Sequence, residues 1–117
     1  AVLIARVQNL ELARNAEHRA CGFLLYYAGY DLSSASYGYH LADLVVHRAQ
    51  RRCGIGTQLL TALAQQALQE ERAWISLTML PDNRVAAQFY AAHGFVDRHC
   101  SLRAIGATAI RFLATGK

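Results

Sequence analysis

From Thr57 to about Glu71 the apolar residues fall at Leu59, Leu60, Leu63, Ala64, Ala67 and Leu68, with Gln58, Gln65, Gln66 and Gln69 opposite. That spacing is the stripe of an amphipathic helix; a strand, whose side chains alternate with period two, cannot use it. The runs on either side are of the second kind. YGYHLADLVV, 37–46, stays apolar on both faces, as a central strand does. AWISLTML, 73–80, reads as a buried strand closed by the single proline, Pro81. Strand, helix and strand in that order commit the chain to a mixed α/β fold.

The flanks extend this frame. Residues 2–8 (VLIARVQ) predict a strand, and CGFLLYYAGY, 21–30, predicts an aromatic one. The polar stretch 9–20 between them reads as a connection, and DLSSAS, 31–36, as a loop. The three strands then form an antiparallel meander. After Pro81, Asp82 or Asn83 can cap a second helix carrying Val85, Ala86 and Phe89, with Gly94 just past its end. Residues 95–103 and 108–114 complete the chain as two strands, possible partners in a hairpin through AIGA. The order is βββ-α-β-α-ββ: an α/β (α+β) chain with a mixed, mostly antiparallel sheet and two main helices. At 117 residues, one domain spanning 1–117 is the expectation.

Composition removes several classes. The chain is 54% hydrophobic and 17% charged, which is a globular balance rather than a disordered one. No apolar run approaches the roughly 20 residues of a membrane helix. The opening AVLIARV has no basic start or cleavage site, so no secretory signal is read and a cytoplasmic protein is expected. Cys21, Cys53 and Cys100 are odd in number and lack C-x-x-C spacing, which suits free thiols in a reducing compartment. The His and Cys residues show no ligand spacing, so no metal is predicted. The net charge of +4 suits an anionic ligand. Arg51 and Arg52 are the only adjacent pair of Lys or Arg, and no basic stripe interleaved with aromatics is present, so neither nucleic acid nor membrane is expected as a partner. A nucleic-acid role through Arg48, Arg51, Arg52 and Arg98 stands as a distant alternative.

QRRCGIGTQLL, 50–60, is where strand hands over to helix. Free N–H groups and the positive end of the helix dipole face such a loop, and glycine lets a ligand approach the backbone. The spacing R-x-x-G-x-G is neither G-x-x-x-x-G-K-[ST] nor G-x-G-x-x-G, which excludes a nucleoside triphosphatase loop and argues against a dinucleotide fold. Locally it is either an anion seat or a tight turn. In PDNRVAAQFYAAHGF, 81–95, Asn83 and Tyr90 stand seven residues apart, about two helical turns, and so on nearly one face. A phenol there can donate a proton or can be a core aromatic.

Taken together, R-x-x-G-x-G-T, the amphipathic helix, a strand, Asn, six residues, Tyr, three residues and Gly-Phe resemble the GNAT N-acetyltransferase superfamily, from about residue 21 to the end and most closely over 41–95. GFLLYYAGYD, 22–31, leading into LADLVV adds a resemblance to the diamine (spermidine/spermine) N-acetyltransferase group. The resemblance implies transfer of an acetyl group from acetyl-coenzyme A directly to a primary amine of a small molecule or polyamine. Arg51, Arg52, Cys53, Gly54, Ile55, Gly56 and Thr57 would hold the pyrophosphate. Leu44 and Val46 would pair their backbone with the pantetheine arm, entering a splay between their strand and the 74–80 strand. Asn83 would touch the arm, and Tyr90 would lie beside the sulfur and protonate the departing thiolate. A thiol at Cys53 has no chemical role in that scheme.

An alkylammonium must first lose a proton. The diamine group carries a glutamate where this chain has Ala42. Strand alternation places His40 on the face of Ala42 and Asp43 on the other, so His40 is either a strand histidine or the candidate base, acting directly or through water; the resemblance also allows ordered water alone as the proton path. Asp31 and Asp43 are candidates for gripping a cationic acceptor, though Ser33 stands where that group has an aromatic. Tyr37 and Tyr39 either line the acceptor cleft or are strand aromatics. Members also usually carry a strand and two helices ahead of the segment matching 2–8. Their lack here leaves a sheet edge to be covered, which favours a homodimer. A coenzyme A-binding module that no longer transfers is the alternative.

Overall fold

The structure, a computed structural model, describes residues 3–51 and 53–117. It divides into two compact units, Ala1–Thr78 and Met79–Lys117. The first unit runs β1 (Leu3–Val7), β2 (Leu10–Arg14), β3 (Ala20–Asp31), β4 (Ser36–Val46), a single 3₁₀ turn (Arg48–Gln50), α1 (Ile55–Gln69) and β5 (Ile75–Leu77). The sheet order is β1-β2-β3-β4-β5. The first four strands form an antiparallel meander, and α1 crosses over so that β5 joins β4 in parallel. The strand expected over 73–80 is only the three residues of β5, and the helix starts at Ile55 with Gly54 as its N-cap.

Helix α1 lies on one face of this sheet. Its buried residues are Ile55, Leu59, Leu63 and Ala67, one turn apart, with Leu60 beside them; the sheet supplies Ala13, Leu24, Tyr26, Tyr39 and Leu41. The buried stripe is narrower than the sequence pattern. Leu68 is 82% exposed and Ala64 is also exposed, because a residue about 100° around the helix from Ala67 or Leu63 has turned past the sheet.

The stretch read as a connection contains β2. Its inward positions are Glu11 and Ala13, paired across β3 with Leu24 and Gly22. One is charged and the other small, so the hydrophobic alternation that marks a strand is missing from the sequence. Glu11 is 2% exposed and is ion-paired to Arg6, directly across β1, whose guanidinium also bonds Gln66 of α1. A carboxylate can be buried here because the partner strand places a cation beside it.

The β3–β4 register shifts at one place: Tyr26 faces Leu41 and Leu25 faces Asp43, which leaves Ala42 as an extra residue. Leu25 and Tyr27 share a face of β3, so their partners Asp43 and His40 share a face of β4. The bulge therefore overturns the expectation from simple alternation. Asp43 and His40 lie together on the face away from α1, whereas Leu41, Leu44 and Val46 sit on the α1 face.

The second unit holds α2 (Arg84–Ala92) and α3 (Ala107–Thr115), and no strand among the described residues. The two final strands expected over 95–103 and 108–114 are thus replaced by an irregular segment and a helix. Thr108, Ile110 and Phe112 suggest a strand, but a strand needs a partner for its N–H and C=O groups, whereas a helix closes those bonds internally. Ala107, Ala109, Leu113 and Ala114 are good helix formers, and Gly116 ends the helix with φ +73°. The order becomes ββββ-α-β-α-α, and the mixed α/β class stands.

Candidate active site

β5 pairs with β4 only across Tyr39, His40 and Leu41. From Ala42 to Val46, β4 keeps β3 on one side and has no strand on the other among the described residues. The splay expected between β4 and residues 74–80 would begin here, where the pairing ends. Leu44 and Val46 lie along this edge, so strand-type hydrogen bonding remains open there up to the Val46 carbonyl, which a side chain occupies.

Beyond Val46 the chain is held by short local bonds. The His47 N–H donates to the Cys21 carbonyl at 2.7 Å, and Nδ1 of His47 accepts from the Ala49 N–H at 3.2 Å, capping the 3₁₀ turn. Nε of Arg51 donates to the Val46 carbonyl at 3.3 Å, which fixes that guanidinium at the end of the open edge. Cys53 is exposed and bonds weakly to the Arg51 carbonyl. Gly54 has φ +77°, a conformation that favours glycine, and space is open where a Cβ would stand. Helix α1 then begins with no side-chain cap and no acidic residue in its first turn, which contains Ile55, Gly56 and Thr57. Its positive end thus meets no acidic side chain from that turn. Arg52, expected to add charge here, lies outside the described residues.

The candidate base and acceptor groups separate into two places. Nδ1 of His40 lies 3.2 Å from Oγ of Ser76, its parallel-strand partner. Asp43 shares that face and is exposed. Asp31 is elsewhere, opposite Ser36 at the far end of the β3–β4 hairpin, seven positions along β4 and roughly 20 Å from Asp43 at about 3.3 Å per residue. It accepts bonds from the Ser33 hydroxyl, the Ser34 N–H and the Ser34 hydroxyl. The Ser34 hydroxyl, followed by that of Ser33, holds its carboxyl below the ordinary range. The two aspartates therefore do not converge, and Asp31 is committed to its turn.

Tyr39 is a strand aromatic. It packs edge-on to Tyr26 at 5.0 Å and donates its hydroxyl to Glu70. Burial, then that bond, pushes the Tyr39 phenol up, and the same bond holds the Glu70 carboxyl down. Tyr37 is exposed and carries the Arg72 guanidinium 5.6 Å from its ring centre, beside an open hollow of about 630 Å³ at the hairpin end.

In the second unit, Asn83 is the N-cap of α2, and its Oδ1 accepts from the Ala86 N–H at 3.1 Å. The cap expected from the sequence is present, and it leaves the amide N–H₂ of Asn83 for other contacts. The Tyr90 ring is set edge-on between Phe89 and Phe95, at 5.2 and 5.4 Å. Gly94 follows the helix with φ +91°.

Sequence reasoning missed Trp74 and Ser76. The Trp74 ring lies across the cross-strand glycine pair Gly29 and Gly38 and donates Nε1–H to the Ser36 carbonyl at 3.3 Å. Two glycines inside aromatic strands were the available signal, since glycine in a strand marks close approach. Ser76 carries no signal of its own. Among the described residues no three His, Cys, Asp or Glu side chains are grouped as metal ligands would be, and no helix is long and apolar enough to cross a membrane.

Comparison with known proteins bears on the same features. A model of the acetyltransferase (GNAT) family matches residues 6–95. The chain belongs to the acetyltransferase (GNAT) family. Its match takes in the open edge of β4, the glycine loop, α1 and α2. This GNAT chain is also 32% identical over 73 residues to an L-ornithine N5-acetyltransferase of Arabidopsis thaliana, a match covering 62% of the chain but 32% of that relative. An integron cassette protein of Vibrio cholerae has the same fold, with a TM-score of 0.81 at 24% identity over 91% of this chain and 65% of the other. So does a transcriptional regulator of Bacillus halodurans, with a TM-score of 0.74 at 27% identity over 86% of this chain and 69% of that one. The GNAT chain thus spans about a third of its Arabidopsis relative and about two thirds of these solved proteins.

Proposed function

We propose that this GNAT chain is an N-acetyltransferase that moves the acetyl group of acetyl-coenzyme A directly to a primary amine of a small molecule. The single observation that carries this is the open edge of β4 running into an α1 terminus whose N-cap, Gly54, supplies no side-chain bond. An extended amide-bearing arm and a phosphate group are the two chemistries that such an edge and such a terminus accept. The site fits that ligand: Gly54 leaves its approach clear, and Arg51 adds a cation where the edge ends.

The roles follow the chemistry. Backbone groups at Leu44 and Val46 hold the arm, and Arg51 with the N–H groups from Cys53 to Thr57 holds the phosphates. Arg52 and Asn83 are assigned contacts with the same ligand on sequence spacing. His40 removes a proton from the acceptor ammonium, and Asp43, on the same face, attracts that cation. The amine lone pair then forms the C–N bond at the thioester carbonyl as the C–S bond breaks; Tyr90, assigned by the family resemblance, gives the thiolate its proton, and the second proton of the acylated nitrogen passes through water to restore the phenol. A diamine or a basic amino acid such as ornithine fits one carboxylate at Asp43; Asp31 is left to its turn.

Calorimetry with acetyl-coenzyme A, followed by thiol release over a panel of amines, tests this. Binding in the wild type, loss of binding in Gly56→Val and release with a cationic amine are expected. Binding without release from any amine would support a coenzyme A-binding module instead, and no binding would refute the ligand assignment.

A further inference from the structure

We propose that Ser76 is the positioning residue for His40, holding the imidazole in the tautomer whose bare Nε2 takes the acceptor's proton. This rests on the acetyltransferase reading above. His40 and Ser76 are register partners on adjacent parallel strands, so the two backbones already place both side chains on one face. Their side chains meet through Nδ1 and Oγ at 3.2 Å. The pair stands one residue before the last paired position, Leu41 with Leu77, and therefore beside the end of the β4–β5 pairing, where the open edge of β4 begins.

A neutral imidazole has one N–H and one lone pair, and only the nitrogen with the lone pair can act as a base. If Ser76 donated to Nδ1, the proton would reside on Nε2 and the open nitrogen would be useless. If Nδ1–H donates to Oγ, Nε2 is bare. The hydroxyl oxygen accepts equally well once the ring is charged, so the same bond persists through the transfer. The step balances: an ammonium N–H breaks, Nε2–H forms, the amine is left with its lone pair, and the imidazolium later returns the proton to water. Serine provides this orientation without a charge. The polar groups next to His40 on the same face of β3 and β4 are Tyr27, directly across, and Asp43, beyond the bulge, with Asp31 and Ser36 farther off at the hairpin end; no hydrogen bond joins any of them to His40 among the described residues.

The test uses the full chain labelled with ¹⁵N-histidine. His40 is assigned by comparison with His40→Gln, and its tautomer is read from nitrogen shifts in the wild type, Ser76→Ala and Ser76→Thr. The wild type is expected to show Nδ1–H. Ser76→Ala is expected to lose that preference and about tenfold in kcat, with the KM for acetyl-coenzyme A unmoved; a tenfold loss is a fraction of the roughly 10²–10⁴-fold that a positioned base supplies. Ser76→Thr, which keeps the hydroxyl, is expected to keep both tautomer and rate, and this also shows that the alanine loss is not one of folding. A wild-type chain that releases thiol while His40 carries Nε2–H would overturn the positioning role, as would a Ser76→Ala chain with an unmoved tautomer or rate. A wild-type chain with the Nδ1–H tautomer and no thiol release overturns the acetyltransferase reading and the catalytic use of His40 with it, while confirming the hydrogen bond itself.

Discussion

Replacing Gly38 by alanine tests the packing of the face that carries His40. A Cβ at residue 38 would stand 2.1, 2.3 and 2.5 Å from three atoms of the Trp74 ring, so the ring has to leave its seat. A tryptophan buries on the order of 150–250 Å². Re-exposing about a third of that, roughly 70 Å², costs about 1.7 kcal/mol at about 25 cal/mol per Å². Losing the Nε1–H bond to the Ser36 carbonyl adds about 1 kcal/mol. Reduced unfolded-state entropy of alanine returns roughly 0.5 kcal/mol. The net expectation is a loss of about 2 kcal/mol, read as a shift in urea midpoint by circular dichroism. Trp74 is the only tryptophan, so its emission should also move to the red in the native state. The decisive arm is the double-mutant cycle with Trp74→Ala: once the ring is gone, Gly38→Ala should be close to neutral, a coupling of about 2 kcal/mol. Gly29→Ala, which meets one outer ring atom at 2.9 Å, should cost less. A Gly38→Ala cost below about 0.5 kcal/mol, or one that survives in the Trp74→Ala background, would refute the reasoning.

Two further expectations concern stability. Leu63 is 0% exposed under the sheet and Leu68 is 82% exposed on the same helix, so Leu63→Ala should cost about 3 kcal/mol in urea unfolding and Leu68→Ala almost nothing; equal losses would contradict the assigned helix face. Burial of the Tyr39 phenol and its bond to Glu70 make stability depend on pH at both ends. The lowered Glu70 carboxyl contributes fully above the ordinary glutamate value of about 4.3 and loses that contribution as pH falls through its folded value. The raised Tyr39 phenol contributes fully below about 10 and loses it as pH rises through its folded value. Glu70 is exposed, so screening reduces the acid-side part to about 0.5 kcal/mol. Tyr39→Phe should flatten both arms of the urea midpoint against pH, the basic arm by removing the titrating phenol and the acid arm by removing the bond; an unchanged acid arm would remove the bond as its cause.

Where side-chain type and position agreed, the sequence could be read directly. β4 declared itself by staying apolar on both faces, and α1 by its period; the glycine loop between them follows from those two. The Asn83 cap and the Gly94 terminator were legible because each acts within one helical turn. β2 was not, because Glu11 and Ala13 occupy inward positions and only Arg6 on the next strand makes burial of the glutamate tolerable. The final segment was misread because Thr108, Ile110 and Phe112 favour a strand only where a partner edge is available.

The sequence by itself determined the mixed α/β class, the position of the strand-to-helix loop and the residues that resemble a GNAT site, since these rest on periods and spacings within a few residues of chain. Only the tertiary structure decided which of those residues meet. The extra residue at Ala42 is defined by the register against β3, and it alone moves Asp43 to the face of His40. The partnership of His40 with Ser76 and the end of β4–β5 pairing at Leu41 come from β5, brought alongside by a crossover of more than thirty residues, His40 to Ser76. Register and crossover are long-range hydrogen-bond choices that no local pattern encodes, because a slip of one residue reverses every face while leaving the sequence unchanged.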